Sequence, residues 1–323
     1  MHKNYLEFSA ESNHDLGFQM GKAFREEAHK RVKPLNQTET DLANQLLEVT
    51  EKYFPQYINE LRGYSEGAEV DFLGLWAVSI EDALDSLLEK CTFGATNGGE
   101  LLFHNEDWEK GSEKSISMVK KEINGLVIFE IYYHNTLGGN AISINSNGCV
   151  HSINSLSHKD HQIGVPRNVI ARFLSETSDP VGDFEKIKKI PRASGYNHNI
   201  VGIDGTIYDM EMSAKEQVLE TPLAPYCHTN HFLTELSKLE DTDNSSATFE
   251  RLKSADAALV ANMTAEEIIN LSSNQENGPT KSVFNERTIG RMVFSLENFE
   301  VFVWMLREKS VGWIKYNLDF IKQ

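Results

Sequence analysis

The hydrophobic pattern of this 323-residue chain changes abruptly at residue 90. Before this point, apolar residues recur at helical spacing, as in Leu16, Met20 and Phe24, each four residues after the last. After it, short alternating runs are separated by glycine and asparagine turns, which is typical of β-hairpins. Helical blocks and antiparallel hairpins that follow one another along a chain predict the α+β class. We therefore expect one compact α+β domain whose N-terminal portion is mostly helical.

Local patterns also predict the individual elements. Helical spacing predicts helices over residues 13–33, 38–52, 56–65, 165–177, 180–189 and, in two pieces, 245–272. A further helix is expected to begin at an Asp71 cap and to run through residue 88. Alternation predicts a strand that begins at Cys91 and further strands over residues 101–107, 126–135, 140–148, 149–156, 198–204, 206–212 and, with a turn at Asn298, 287–305.

Composition excludes several classes of function. The formal charge of −17 argues against a nucleic-acid partner, because a polyanion would be repelled. No apolar run approaches the ~20 residues of a membrane span, and the first residues lack the apolar core of a secretory signal. Cys91, Cys149 and Cys227 are too scattered for a disulfide framework. These features favour a cytoplasmic protein with neither a nucleic-acid nor a membrane partner.

Cys91 lies where the helical pattern gives way to the first hairpin. If the Lys90–Cys91 peptide bond were cut, this residue would carry both a thiol and a free α-amine. An α-amine titrates near ~7.7–8.0, so at neutral pH it is well matched to accept the proton of its own thiol. The alternative is that Cys91 is a buried structural cysteine, as most cysteines are.

Several segments follow Cys91 in a characteristic order. They are Cys91-Thr92, LLFHNEDW at 101–108, INSNG at 144–148, INSL at 153–156, GVPRNVIARFL at 164–174, PRASGYNHN at 191–199, HTNHF at 228–232 and ERTIGRMVF at 286–294. In these segments the chain resembles the acyl-coenzyme A:6-aminopenicillanate acyltransferase family. More distantly, it is similar to the choloylglycine hydrolases and penicillin V acylases among the N-terminal-nucleophile hydrolases.

This resemblance implies a four-layer αββα sandwich with a helical N-terminal leader. It also implies autocatalytic cleavage between Lys90 and Cys91, which would separate a leader of residues 1–90 from a catalytic portion of residues 91–323. An acyl-thioester would then form on the Cys91 sulfur. No cofactor is implied.

The resemblance also assigns catalytic residues by position. Asp107 matches the aspartate that holds the amine and thiol of the nucleophile, and its place on the return strand of the hairpin agrees with that role. Asn145, through its backbone N–H, and Asn197, through its side-chain amide, match the oxyanion positions, and Arg287 matches an arginine near the nucleophile. The alternatives are a solvated carboxylate at Asp107, a turn residue at Asn145, Asn199 in place of Asn197, and a structural arginine at Arg287.

Three further residues are expected to bind substrate. His104 replaces an arginine of the distant bile-salt relatives, so substrate specificity cannot be copied from them. His228 and Asn230 match a segment that lines the substrate side of the sheet. A zinc site in Cys227-His228-Thr229-Asn230-His231 is disfavoured, because no second Cys/His pair follows at matching spacing.

The sequence thus predicts a self-activated cysteine amide hydrolase or acyltransferase that acts on a linear amide C–N bond of a small N-acyl compound. A Cys–His–Asp thiol hydrolase that works as one intact chain is an alternative, with His104, His151 or His228 as its base. A non-catalytic binding module of the same fold is a third. The residues do not distinguish hydrolysis from acyl transfer, and they leave the oligomeric state open, a homo-oligomer included.

Overall fold

A computed structural model describes residues 1–81, 90–241 and 247–321, with the backbone alone for Lys90. The α-helices of this part of the chain are α1 Asn13–Ala23, α2 Arg25–Arg31, α3 Gln37–Tyr53, α4 Pro55–Ala68, α5 Phe72–Ser79, α6 Arg167–Leu174, α7 Pro180–Ile187, α8 Ala247–Ala258 and α9 Ala265–Ser272. Its strands are β1 Tyr5–Ala10, β2 Lys90–Thr96, β3 Leu101–Asp107, β4 Ile116–Ile123, β5 Leu126–Tyr133, β6 Ile142–Asn145, β7 Val150–Ser155, β8 Tyr196–Val201, β9 Ile207–Met212, β10 Gln217–Glu220, β11 Tyr226–His228, β12 Thr288–Ser295, β13 Glu300–Met305 and β14 Ile314–Asn317.

The strands form two sheets. One has eight strands in the order β1-β4-β5-β6-β7-β8-β9-β10, and the other has six in the order β11-β2-β3-β12-β13-β14. Neighbouring strands run antiparallel, except that β1 lies parallel to β4 at the edge of the larger sheet. Strand β2, which begins at the predicted cleavage point, is therefore an inner strand.

Apolar side chains divide the molecule into four layers. The core between the sheets contains Phe93 and Met292 from the smaller sheet and Phe129 and Ile144 from the larger one. A second core joins α1, α3, α4, α5, α6 and α7 to the outer face of the larger sheet. A third joins α8 and α9 to the outer face of the smaller sheet. The predicted α+β class and αββα sandwich are therefore confirmed.

Glycines let helices α1 and α4 approach each other closely. A Cβ atom on Gly17 would lie 1.8 Å from the carbonyl oxygen of Glu60, and one on Gly63 would lie 2.0 Å from that of His14. Such distances are far inside van der Waals contact, so each helix needs glycine where the other's backbone passes. The helical layer is therefore packed backbone against backbone at this crossing.

The N-terminal portion departs from the predicted helices in two places. The helix expected over residues 13–33 breaks at Phe24, whose backbone angles are not helical, so that α1 and α2 are separate. Residues 5–10, for which no strand was predicted, form β1. Its pairing with β4 is a long-range contact, which local periodicity does not reveal. Asp71 caps α5 as predicted, and the expected continuation to residue 88 lies outside the described residues.

Within residues 1–81, 90–241 and 247–321, no helix is both long and apolar enough to cross a bilayer.

Candidate active site

The register of the first hairpin places Cys91 inside the sandwich. On adjacent strands β2 and β3, Cys91 lies opposite Glu106, and Phe93 lies opposite His104. Directly opposed residues of an antiparallel pair share a face, and Phe93 belongs to the core between the sheets. Cys91, His104 and Glu106 therefore point between the two sheets, and all three are fully buried.

The carboxylate of Glu106 is the centre of a hydrogen-bonded group. The Cys91 thiol donates to Glu106 Oε2 across 3.6 Å, and His104 Nε2 lies 2.8 Å from the same oxygen. The Tyr133 hydroxyl donates to Glu106 Oε1 at 2.6 Å. The thiol thus faces a carboxylate that a histidine and a tyrosine hold in place.

The backbone of Cys91 is held by residues from distant segments. Its N–H donates to Asn230 Oδ1 at 2.9 Å, and its carbonyl accepts a hydrogen bond from Arg251 Nη1 at 2.6 Å. Arg251 also donates to Asn230 Oδ1 at 2.7 Å and to the Thr92 hydroxyl at 2.8 Å. Burial lowers the pKa of the Arg251 guanidinium, an effect that the negative charge of Asp107 opposes. Both peptide groups that flank the Cys91 side chain are consequently fixed.

Asp107 lies on the opposite face of β3, because successive side chains of a strand alternate. Its carboxylate accepts hydrogen bonds from Asn285 Nδ2 and, at 2.6 Å, from the Thr288 hydroxyl. Burial raises the pKa of Asp107 to about 6, and the charge of Arg251 opposes this rise. In the intact chain, Asp107 therefore does not hold the Cys91 thiol as expected, and the carboxylate beside that thiol is Glu106.

Asn145 is not brought to this group. Its N–H, the predicted oxyanion donor, donates to the Cys149 carbonyl at 3.1 Å within a tight turn. It pairs with Ile128, whereas Tyr133, the β5 residue that reaches Glu106, lies five positions further along that strand. Five residues of strand span roughly 16 Å. The structure thus corrects the prediction for Asn145, whose sequence motif marks a turn.

Asn197 lies nearer to Asn230, which binds the backbone N–H of Cys91. It follows Tyr196, which pairs with Ser155, and the Ser155 carbonyl accepts a hydrogen bond from Asn230 Nδ2 at 3.1 Å. The Asn197 amide donates to Asn199 Oδ1 at 3.3 Å. Because the two asparagines are hydrogen-bonded to each other on the same face, the geometry keeps both as candidate amide donors.

His228 forms an ion pair away from the thiol. Its Nε2 lies 3.0 Å from Glu211 Oε1, and its Nδ1 lies 2.7 Å from the Thr229 carbonyl oxygen. Burial opposes protonation, but the hydrogen bond to Glu211 and the charge of Asp209 raise the pKa of His228 above its ordinary value. His228 therefore belongs to a buried charged cluster, whereas Asn230, two residues later, contacts Cys91 directly.

Two buried groups combine histidine with carboxylates, but neither is arranged for a metal ion. Both ring nitrogens of His228 already face oxygen acceptors, so neither offers a lone pair. At the thiol, His104 Nε2 and Glu106 Oε2 are only 2.8 Å apart, which is a hydrogen-bond length. Two ligands around a tetrahedral zinc ion would be roughly 3.3 Å apart, given zinc–ligand bonds of ~2.0 Å.

Arg287, the expected arginine near the nucleophile, lies close enough to Arg251 that its positive charge adds to burial in lowering the pKa of the Arg251 guanidinium. The Arg287 carbonyl accepts a hydrogen bond from the Trp108 N–H at 2.9 Å, just beyond the end of β3, and its side chain is half-buried. The arginine that contacts Cys91 is Arg251, on α8. No motif marked Arg251, since its position depends on how α8 packs on the smaller sheet.

Glu106 was also missed, although a signal was present. The Asn97-Gly98-Gly99 turn makes Thr96 pair with Leu101, and counting five residues back and forward from this pair sets Cys91 against Glu106. The position of the turn in the sequence was therefore enough to predict that Cys91 pairs with Glu106. The resemblance instead assigned the role to the neighbouring carboxylate, Asp107.

A cleft adjoins this group of residues. Tyr133, whose hydroxyl binds Glu106, forms part of its wall. The other lining residues come from the N-terminal portion, the β3–β4 and β5–β6 connections and the start of α6, and they are Arg31, Val78, Ser79, Glu81, Trp108, Ser112, Ser115, His134, Thr136, Asn140 and Asn168. A small molecule bound there would be one hydrogen bond away from the carboxylate at the Cys91 thiol.

The chain is similar to proteins of known activity. It is 27% identical over 213 residues to a β-alanyl-dopamine/carcinine hydrolase of Drosophila melanogaster. That alignment covers 55% of this chain and 55% of the fly protein, so the chain spans little more than half the length of this relative.

Among solved structures, a penicillin V acylase from Agrobacterium tumefaciens superposes with a TM-score of 0.47 at 10% identity, covering 72% of this chain and 88% of the acylase. A mutant of the conjugated bile acid hydrolase from Clostridium perfringens gives a TM-score of 0.44 at 10% identity, covering 72% of this chain and 93% of the hydrolase.

A family profile also matches this chain. The profile of acyl-coenzyme A:6-aminopenicillanic acid acyl-transferase matches residues 95–303, which is more than half of the chain. The match begins four residues after Cys91 and extends through most of β13. It confirms the resemblance inferred from the segments that follow Cys91. The chain belongs to the acyl-coenzyme A:6-aminopenicillanic acid acyl-transferase family.

Proposed function

We propose that the chain is a cysteine amide hydrolase or acyltransferase of the N-terminal-nucleophile type, activated by scission at Lys90–Cys91. The observation that carries this proposal is the way Cys91 is held. It is the second residue of an inner strand, Asn230 and Arg251 bind its two backbone groups, and its thiol faces a buried carboxylate. Membership of an acyltransferase family, and similarity to a fly hydrolase, supply the reaction class.

Scission would turn the Cys91 peptide nitrogen into an α-amine 2.9 Å from Asn230 Oδ1, which can accept a hydrogen bond from it. The amine takes the thiol proton, and the thiolate attacks the acyl carbonyl of the substrate. When the C–N bond of the substrate breaks, the α-ammonium returns the proton to the leaving amine. Water or a second amine then attacks the thioester and releases the thiol.

The oxyanion formed in each step needs neutral hydrogen-bond donors. The side-chain amides of Asn197 and Asn199 lie on the face of the larger sheet that is directed at the smaller one. We assign the role to Asn197, as the family position indicates. Removing one such donor typically lowers the rate by about 10²–10³-fold.

The substrate is proposed to be a small N-acyl amide. The name of the fly relative identifies β-alanyl-dopamine and carcinine as its substrates, and these are two probes for this chain. Trp108 and Tyr133 give the cleft aromatic walls, which suit the aromatic ring of dopamine. Transfer of an acyl group from acyl-coenzyme A to 6-aminopenicillanic acid is the third probe.

The proposal predicts two fragments in the active protein. Intact mass spectrometry should find residues 1–90 and 91–323, and Cys91→Ala should leave one uncut, inactive chain. Cys149→Ala and Cys227→Ala are matched controls, because these buried cysteines lie elsewhere, and both variants should be cut and active. An uncut wild-type chain that hydrolyses the probes would contradict the proposal.

One observation favours a second candidate, a thiol hydrolase that works as an intact chain. A ring nitrogen of His104 lies within 4.8 Å of the Cys91 sulfur. This candidate predicts that uncut protein is active and that His104→Ala abolishes turnover. An uncut wild-type chain that turns over no probe would instead favour a non-catalytic module.

A further inference from the structure

Self-cleavage needs a base that the mature enzyme does not need. In the intact chain, the nitrogen of Cys91 is a peptide N–H that donates to Asn230. Its lone pair is delocalised into the peptide bond, so it cannot accept the thiol proton. Another group must activate the thiol before the α-amine exists.

We propose that the carboxylate of Glu106 is the base that takes the Cys91 thiol proton when the Lys90–Cys91 bond is cut. This inference rests on the proposed function and adds a residue to it. Glu106 Oε2 is the acceptor of the thiol hydrogen at 3.6 Å, and both side chains are fully buried. The Asp107 carboxylate is on the other face of β3, bound by Asn285 and Thr288.

His104 and Tyr133 act as positioning residues. His104 Nε2 lies 2.8 Å from Glu106 Oε2, so it must carry a hydrogen to bind the carboxylate. Its Nδ1 has no hydrogen-bond partner among the residues that the structure describes. Tyr133 binds the other carboxylate oxygen at 2.6 Å. Together they keep Oε2 directed at the sulfur.

Scission of the Lys90–Cys91 bond needs no external reagent other than water. The thiol proton moves to Glu106, and the thiolate sulfur bonds to the Lys90 carbonyl carbon. The C–N bond then breaks, and Glu106 returns the proton to the departing nitrogen of Cys91. Water hydrolyses the resulting thioester, which leaves a carboxylate on Lys90 and a thiol on Cys91.

The test is a time course of scission during cell-free synthesis of the full chain, quenched in acid and read by intact mass. Glu106→Gln removes the base, so scission should be slower by about 10²-fold or more. Glu122→Gln is the control, because it makes the same chemical change at an exposed strand residue of the larger sheet, and it should be cut at the wild-type rate.

The pH profile separates a base from a structural role. The groups facing Glu106 are Cys91, His104 and Tyr133 on its own face, with the charges of Asp107 and Arg251 behind the strand. In wild type the carboxylate takes the thiol proton without hydroxide, so the scission rate should not rise tenfold per pH unit at alkaline pH. In Glu106→Gln, only hydroxide forms the thiolate, so the rate should keep rising about tenfold per pH unit.

The outcomes distinguish this inference from the proposed function. If wild type is cut, Cys91→Ala is not, and folded Glu106→Gln is cut at the wild-type rate, the role of Glu106 is overturned and Cys91 remains the nucleophile. If wild type is never cut but hydrolyses the probes, both fall together. Should Glu106→Gln not fold, Glu106→Asp decides, because its withdrawn carboxylate must slow scission at least tenfold; a wild-type rate overturns the inference.

Discussion

Arg251 shows how much one side chain contributes at the scale of a residue. It is fully buried, and its guanidinium binds the Cys91 carbonyl, the Thr92 hydroxyl and Asn230. Two of these acceptors also define the position of the proposed nucleophile. Stability and geometry at Cys91 therefore depend on the same hydrogen bonds.

Arg251→Met should lower the free energy of unfolding by about 3–5 kcal/mol, because it leaves the buried Cys91 carbonyl without its donor and removes the positive charge that favours the ionised form of buried Asp107. Urea denaturation measures this change. The control is Arg62→Met, at a half-buried arginine over the Phe72 ring, which should cost less than about 1 kcal/mol. Equal losses for the two variants would contradict this account of Arg251.

The raised pKa of Asp107 predicts how its contribution to stability depends on pH. Burial shifts its pKa from 3.8 to about 6 in the folded protein. Between these values the unfolded chain ionises and the folded chain keeps its proton, so stability falls as pH rises from about 4 to about 6. The fall should be roughly 3 kcal/mol.

Asp107→Asn removes this titration. The free energy of unfolding of wild type, minus that of the variant, should therefore decrease between pH 4 and pH 6 and stay level above it. Chemical denaturation at several pH values tests this. A difference that increases with pH over this window would show that the folded state favours the ionised carboxylate instead.

At the scale of elements, the contact between α1 and α4 limits substitution most strictly. Alanine favours helix over glycine by up to ~1 kcal/mol, yet a Cβ on Gly17 would lie 1.8 Å from the backbone oxygen of Glu60. The steric term opposes the propensity term and is the larger of the two. The helices would have to move apart along their whole crossing.

Gly17→Ala should therefore destabilise the protein by about 2–3 kcal/mol despite the gain in helix propensity. Thermal and urea unfolding provide the measurement. Lys22→Ala, at an exposed position of the same helix, should change stability by less than about 0.5 kcal/mol. A Gly17→Ala protein as stable as wild type would mean that the two helices are not in backbone contact.

At the scale of the whole molecule, the N-terminal portion is part of the sandwich. Its strand β1 pairs with β4, and its helices lie, together with α6 and α7, in the layer over the larger sheet. The core that joins them includes Trp76 from α5 together with Val119 and Tyr132 from β4 and β5. Separating residues 1–90 from the rest would expose this core.

Scission at Lys90–Cys91 should therefore leave both fragments in one particle. Size-exclusion chromatography of cut protein should give one peak with the native mass of the full chain, and denaturant should be needed to separate the fragments. The uncut Cys91→Ala protein gives the reference elution volume. Release of residues 1–90 under native conditions would contradict this role of the helical layer.

The amino-acid sequence by itself determined the alternation of helices and hairpins and the position of Cys91 at the seam, because local periodicity and turn chemistry are expressed by neighbouring residues. The αββα sandwich was implied by the resemblance to the acyltransferase family. The tertiary structure decided which groups surround Cys91. Asn230 and Arg251 lie 139 and 160 residues away from it along the chain, and their contacts depend on sheet order and helix packing. By contrast, the register of the first hairpin already sets Glu106 rather than Asp107 against Cys91, because one step along a strand turns a side chain to the other face.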